Sequence, residues 1–239
     1  MLPDSETESR ELVLPISGQP AVIIEGDGKS DRGLFKGNKP RYQITYEYLA
    51  ALTQSIGDIT KVDQQVIKDL LVPDQDFLAI EIFKVNYAET FEFSYFCGAC
   101  GKTSDQAAPL NKLTMRPIPP ESSGAPDPVI TITLPRSGMK AEIGMLNGHK
   151  ESIILGQMQT EGVDVNQSDY LCLRRLDGSE DFTYEDVVAL KKKDHEAIRR
   201  ARKQLVCGYD TFVIVPCPEC GVRGRMNILT HPDFFYPGG

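Results

Sequence analysis

The chain has 239 residues, 41% of them apolar and 25% charged. These are the proportions of a globular chain long enough to bury one large core or two ordinary ones. A formal net charge of −8 and a pI near 5.0 work against general binding to nucleic acid or to anionic membranes, which requires clustered Lys and Arg.

The opening MLPDSETESRELVL is polar and acidic, without the apolar stretch of a signal peptide, so residues 1–11 are expected as a flexible tail. No run of about 18 apolar residues offers a membrane span. The protein is therefore expected inside the cell that makes it, where thiols stay reduced. Residues 12–24, LVLPISGQPAVII, are two apolar runs around a Pro-x-Ser-Gly turn and predict a hairpin. Residues 25–41 are rich in Gly, Lys and Asp and read as a loop; Gly26-Asp27-Gly28-Lys29 within it lacks the spacing of a phosphate loop.

Three helices are expected next. The first carries Tyr46, Leu49, Ala50 and Thr53 on one face behind a Thr45 cap. The second opens at Thr60, carries Val66, Ile67, Leu70 and Leu71, and ends at Pro73. The third starts at Asp74 or Asp76 and runs through Phe77, Ile80 and Phe83. The alternating TFEFSYF of residues 90–96 predicts a strand leading straight into Cys97. Five prolines in residues 116–128 mark a linker. A second hairpin follows in VITITLPRSGMKAEI, then a loop, a short helix over residues 168–176, a helix opened by Thr183 and a charged helix over residues 194–206. A strand over residues 211–215 enters Cys217, and the chain closes on the aromatic tail HPDFFYPGG.

The two parts align at one offset. Leu14-Pro15-x-Ser17-Gly18-x-x-Ala21 and Leu134-Pro135-x-Ser137-Gly138-x-x-Ala141 are 120 residues apart, as are Cys97-x-x-Cys100-Gly101 and Cys217-x-x-Cys220-Gly221, and Asp74 and Asp194. A shared offset over motifs some 80 residues apart predicts an α+β fold with internal duplication, hairpin–helices–strand–knuckle twice. The expected units are residues 12–115 and 129–239, joined by the linker of residues 116–128.

Each Cys-x-x-Cys-Gly knuckle turns two thiolates toward one point, and a structural zinc ion takes four in a tetrahedron. Cys97, Cys100, Cys217 and Cys220 are therefore the predicted ligands of one structural Zn²⁺ in a zinc-ribbon-like site shared by the halves. An iron–sulfur cluster, disulfides or a metal-free vestige are the competing readings. Four thiolates leave no open position for catalysis. His149, His195 and His231 lie at neither metal nor triad spacing, and Cys172 and Cys207 read as small buried apolar residues. No nucleophile motif or acid–base pair stands out, so no enzyme activity and no small-molecule substrate are expected. The basic cluster from Lys191 to Lys203 reads as a solvated helix face, with docking of an acidic partner as the sharper reading.

The order of these motifs resembles the baseplate hub assembly protein family of T-even-like contractile-tail bacteriophages. The likeness rests on the Pro-x-Ser-Gly hairpin, Asp76-Phe77-Leu78-Ala79-Ile80 running into the first knuckle, the second hairpin, the second knuckle and the closing Asp233-Phe234-Phe235-Tyr236-Pro237. It implies a hub subunit or assembly chaperone that contacts other tail and baseplate proteins, in the host cytoplasm during assembly or in the virion tail baseplate. The acidic N-terminus, the linker and the basic stretch depart from the family. The alternative is a zinc-ribbon adaptor of transcription or other nucleic-acid machinery; few basic residues (Lys102, Arg223, Arg225) flank the knuckles, which makes nucleic acid the less expected partner.

Overall fold

The computed structural model describes residues 8–28, 39–120, 122, 126–160, 162 and 164–235, excluding the side chains of residues 159 and 160. Parts of the expected tail (1–7), loop (29–38), linker (121 and 123–125) and aromatic end (Tyr236 to Gly239) lie outside the described residues.

The first half begins with β1 (Ser9–Val13) and β2 (Pro20–Ile24), antiparallel, with Leu12 opposite Ala21. The Leu14 N–H closes the turn on the Gln19 carbonyl at 2.9 Å. Alternation puts Ala21 and Ile23 inside. After α1 (Arg41–Ala51), the strand β3 (Thr53–Ile56) pairs with the free edge of β2, with a register shift between Val22 and Ile23. Then come α2 (Gln64–Asp69), capped by Asp63, and α3 (Val72–Asn86). The half closes on the hairpin of β4 (Thr90–Phe96) and β5 (Thr103–Pro109), followed by the short β6 (Met115–Arg116).

The second half contains β7 (Val129–Thr133), β8 (Lys140–Gly144), α4 (Gly148–Thr160), α5 (Val165–Cys172) and β9 (Leu173–Leu176). It continues with α6 (Tyr184–Val188), α7 (Lys192–Gln204), β10 (Gly208–Tyr209), β11 (Phe212–Pro216) and β12 (Arg223–Asn227). The sheet β7-β8-β9 has the order of β1-β2-β3, and its strands start and end 120 residues later. Even the register shift recurs, between Glu142 and Ile143. The first residues of α6 and α7 stand at the same offset from those of α2 and α3. The architecture is thus mixed α and β, built from several small antiparallel sheets and seven helices among the described residues.

One buried carboxylate per half locks this frame. Asp74 Oδ1 and Oδ2 accept the N–H groups of Ile16 and Ser17 at 2.8 and 3.0 Å. Asp194 does the same for Arg136 and Ser137 at 2.7 and 3.2 Å. Each turn of the Leu-Pro-x-Ser-Gly hairpin is thereby fastened to the first turn of the long helix beneath it. Burial raises the Asp74 carboxyl above its usual range even though the two N–H groups pull it down.

Several local expectations change. β1 begins at Ser9, inside the segment expected as a tail, because Glu11 and its neighbours pair with β2. The second helix is capped by Asp63 and not opened by Thr60. Pro73 does not end it. Leu70 and Leu71 are already extended, and Pro73 sits in the first turn of α3, where its missing N–H costs no hydrogen bond. Thr45 lies inside α1, its hydroxyl donating to the Arg41 carbonyl, and does not cap it. The expected helix over residues 168–176 is a helix to Cys172 and a strand after it. Thr183 does open a helix, in a reciprocal capping box with Asp186. The Pro-rich stretch is fastened at both ends: Arg116 in β6 pairs with Gly208 in β10, and Asp127 accepts from Arg174.

Two apolar cores result. The larger gathers α1, α3 and the first sheet, and it also takes Val215, Ile228, Phe234 and Phe235 from the end of the chain. The smaller gathers the second sheet and α7, with Ile16 and Leu71 from the first half. This exchange of side chains holds the two knuckle-bearing hairpins side by side.

Candidate metal centre

The β4–β5 hairpin is paired in full from Thr90 opposite Pro109 to Phe96 opposite Thr103. The β11–β12 hairpin is paired from Phe212 opposite Asn227 to Pro216 opposite Arg223. Each ends in a knuckle of one design. The N–H of Cys97 donates to the Lys102 carbonyl at 2.8 Å, and that of Cys217 to the Val222 carbonyl at 2.9 Å. Gly101 and Gly221 return their N–H to the carbonyls of Cys97 and Cys217 with φ of 69° and 71°, the left-handed conformation that glycine adopts without strain.

The hairpins touch along β4 and β12. The Tyr95 hydroxyl lies over Gly224, where a Cβ would come within 1.8 Å of it, so no larger residue fits there without displacing Tyr95. His231 Nε2 stands 3.2 Å from the Ser94 carbonyl oxygen, and its ring packs on Phe91 and Phe93. Phe234 stacks on Phe83 and meets Phe91 edge-on. The described part of the aromatic tail is therefore core, and it backs the first hairpin.

The result brings all four predicted ligands together. The Sγ atoms of Cys97, Cys100, Cys217 and Cys220 lie within 4.8 Å of one another, and none is in a disulfide. Cys97 and Cys220 are 3.7 Å apart and Cys100 and Cys217 are 3.6 Å apart. A tetrahedron with metal–sulfur bonds of about 2.3 Å has edges of about 3.8 Å, so these pairs fit the edges of a tetrathiolate site. A disulfide would need about 2.05 Å. Cys97 and Cys217 are buried, Cys100 is partly covered and Cys220 is exposed, so one side of the centre faces solvent.

Electrostatics favour a cation at this point. The N–H groups of Cys100 and Ala99 draw the Cys97 thiol down to about 7. The Lys102 N–H also favours the Cys100 thiolate, yet desolvation and the three neighbouring sulfurs push that thiol up to about 12. Four thiols in contact cannot all ionise alone; a divalent ion at their centre removes the mutual repulsion.

The other residues singled out from the sequence stand apart from this centre. Cys172 and Cys207 are buried in the second core. His149 Nε2 meets Asp69 at 3.0 Å on the surface. His195 Nδ1 stands 2.9 Å from Asp169, a fully buried carboxylate that also accepts from Arg199, so these three side chains tie α7 to α5. Arg199 thus belongs to the packing of the basic helix and not to its open face, and sequence spacing alone offered no sign of this. Among the described residues no helix is long and apolar enough to cross a membrane. No family model, curated protein or solved structure matches the chain.

Proposed function

We propose that this is a non-enzymatic structural protein in which one zinc ion staples two duplicated halves, and that it acts by contacts with other proteins in assembly of a contractile-tail baseplate. The observation that carries the zinc reading is the closed set of four sulfurs at edge distances of 3.6 and 3.7 Å. Those separations suit a single ion and leave no space for the several metal and sulfide atoms of an iron–sulfur cluster. The duplication is supported by the constant 120-residue shift of both sheets, both carboxylate-locked turns and both knuckles. The assembly role is supported by the motif order and by exposed apolar side chains around the hairpins. Phe96 and Val222 flank the knuckles, and Phe212 and Ile214 line the outer face of β11. The partners are tail and baseplate proteins, met in the host cytoplasm or in the virion.

Elemental analysis of the purified chain tests the centre: one zinc per chain is expected, and a single iron would replace the identity of the ion while keeping the site. A pull-down from infected cells, compared with the protein content of purified particles, tests the role. Recovery of baseplate proteins supports it. Micromolar binding to DNA or RNA with a steep salt dependence, and no tail protein recovered, overturns it in favour of a nucleic-acid adaptor.

A further inference from the structure

A cleft of about 1160 Å³ is lined by α1, α3 and α4, by the end of α7 and by β11 and β12, and none of the four clustered cysteines borders it. Pockets for small molecules span roughly 300–1,000 Å³, so this one has room for something larger. Its walls are largely apolar, with Leu49, Ala79, Leu146, Leu155 and Leu229 among them. The apolar surface continues outward: Met158, Val206 and Phe212 also line the cleft, and each leaves about half of its surface in solvent. Exposed apolar side chains gathered at one depression, unlike single scattered ones, mark an interaction surface.

Charge selects the class of partner. Arg41, Arg116, Arg202, Lys203 and Arg225 line the cleft, against the carboxylates of Asp76, Glu151 and Asp210. Asp210 is answered by Arg116 at 2.5 Å, and Glu151 accepts from the Tyr46 hydroxyl at 3.1 Å. The other four cations pair with no carboxylate among the described residues. Arg41 donates to the carbonyls of Thr230 and His231, Arg225 lies over the Phe212 ring at 4.0 Å, and Arg202 and Lys203 make no ion pair. On a chain of net charge −8, such a gathering of unanswered positive charge is a local feature that attracts an acidic partner.

We infer that the cleft receives an acidic amphipathic helix of a partner protein. Its apolar face meets the aliphatic walls, and its Asp and Glu side chains meet Arg202, Lys203 and Arg225. Helical form follows from the walls. Leu49, Ala79 and Leu155 stand on helices whose backbone groups are already paired, so a segment entering between them must pair its own N–H and C=O groups. A single strand of nucleic acid would also meet the cations, but its bases need open aromatic faces. Of the aromatic side chains that line the cleft, only Phe212 is exposed, and Arg225 covers its ring. The inference rests on the reading of this chain as one that acts by protein contacts, and it adds a surface and a partner chemistry. The metal and the baseplate setting can each fail with it intact.

Panning a displayed library of random peptides of about 18 residues, or about five helical turns, on the full chain tests it. The enriched peptides are expected to be net negative, with apolar residues at helical spacing. Fluorescence anisotropy of a labelled, enriched peptide should show binding about tenfold weaker in Arg202→Glu and in Arg225→Glu. Arg200→Glu, on the same helix as Arg202 but outside the cleft, should leave the affinity unchanged. The unfolding temperature of each variant is measured alongside. If a charge reversal lowers it, Arg202→Ala and Arg225→Ala take its place, with a loss of at least about threefold expected. No enrichment, enrichment of neutral or basic peptides, unchanged affinity in both cleft variants, an equal loss in Arg200→Glu, or tighter binding of single-stranded DNA than of the peptide would overturn the inference. Failure of the baseplate pull-down would leave these readings as they are.

Discussion

The helices α3 and α7 occupy equivalent places under equivalent hairpins, yet they have little in common beyond their fastening aspartates. Asp74 and Asp194 are both fully buried and both hold a turn by two N–H groups. Beyond that first turn, α3 is apolar on nearly every side, whereas α7 buries a narrow stripe through His195, Ile198 and Ala201. Position explains the difference. α3 packs against α1, α4 and β10 as well as its own sheet, while α7 lies at the edge with one face in solvent. A repeated frame thus tolerates opposite sequences, provided that the groups satisfying backbone N–H donors are kept and the rest follow local burial.

The largest test of this pairing is at the metal. Serine at Cys97 in one half or at Cys217 in the other should cause equal loss of bound metal. The unfolding midpoint should fall by roughly 10 °C or more in both, read by calorimetry with metal analysis alongside. Unequal loss would mean that the halves hold the ion unequally. Next in size are Ile80 and Arg200, which are 120 residues apart on the two helices. Ile80 is fully buried, so Ile80→Ala should cost about 3 kcal/mol in denaturant unfolding. Arg200 is mostly exposed and among the described residues pairs only with Glu196, so Arg200→Ala should cost less than about 0.5 kcal/mol.

The fastening aspartates come next. Asp74→Ala and Asp194→Ala should each cost about 2 kcal/mol, because two N–H donors lose their acceptor. Asp74→Ala should cost more, since the Ile16 N–H that it would orphan is the deeper one. The remaining contrast is in pH. Asp76 is equivalent in position to the exposed Glu196, but its carboxyl is raised from the usual range to about 8 by burial and then by Glu151, with Glu151 itself and Tyr46 as the titratable groups facing it. A raised acid is more protonated in the folded chain than in the unfolded one, so its stabilising contribution is full below the unfolded value near 4 and is lost as pH rises through about 8. The unfolding midpoint should therefore fall as pH rises from about 4 to about 8, and less so in Asp76→Asn, while Glu196→Gln should leave the slope unchanged.

What could be read in advance follows the range of the interactions. The knuckles were legible because both ligand pairs are local, each signed by Cys-x-x-Cys-Gly, and the hairpins because Leu-Pro-x-Ser-Gly specifies a turn. β3 and β9 were not, because TQSI and LRRL have no turn signal between them and the helices they follow. α4 escaped notice because Gly148 to Thr160 shows little periodicity, its residues being shared between two halves. Asp76 was read as the start of a helix; Glu151, whose charge raises its carboxyl, lies on α4, and nothing local connects the two. The fastening role of Asp74 and Asp194 was hidden for the same reason, although their common offset had already marked them.

The sulfurs of Cys97 and Cys220 meet across 123 positions of sequence. A ribosome adding about 5–20 residues each second would present the first knuckle several seconds before the second. During that interval the emerging first half has two of the four clustered cysteines and lacks Phe234 and Phe235, the last large pieces of its core. Meeting of the four cysteines and closure of that core therefore both wait for the second knuckle and the segment after it. Because the closing contacts are so distant in sequence, the search for them should set the pace of folding. A chain truncated before Cys217 is then expected to remain a substrate for chaperones and proteases, even though it contains every element of the first half.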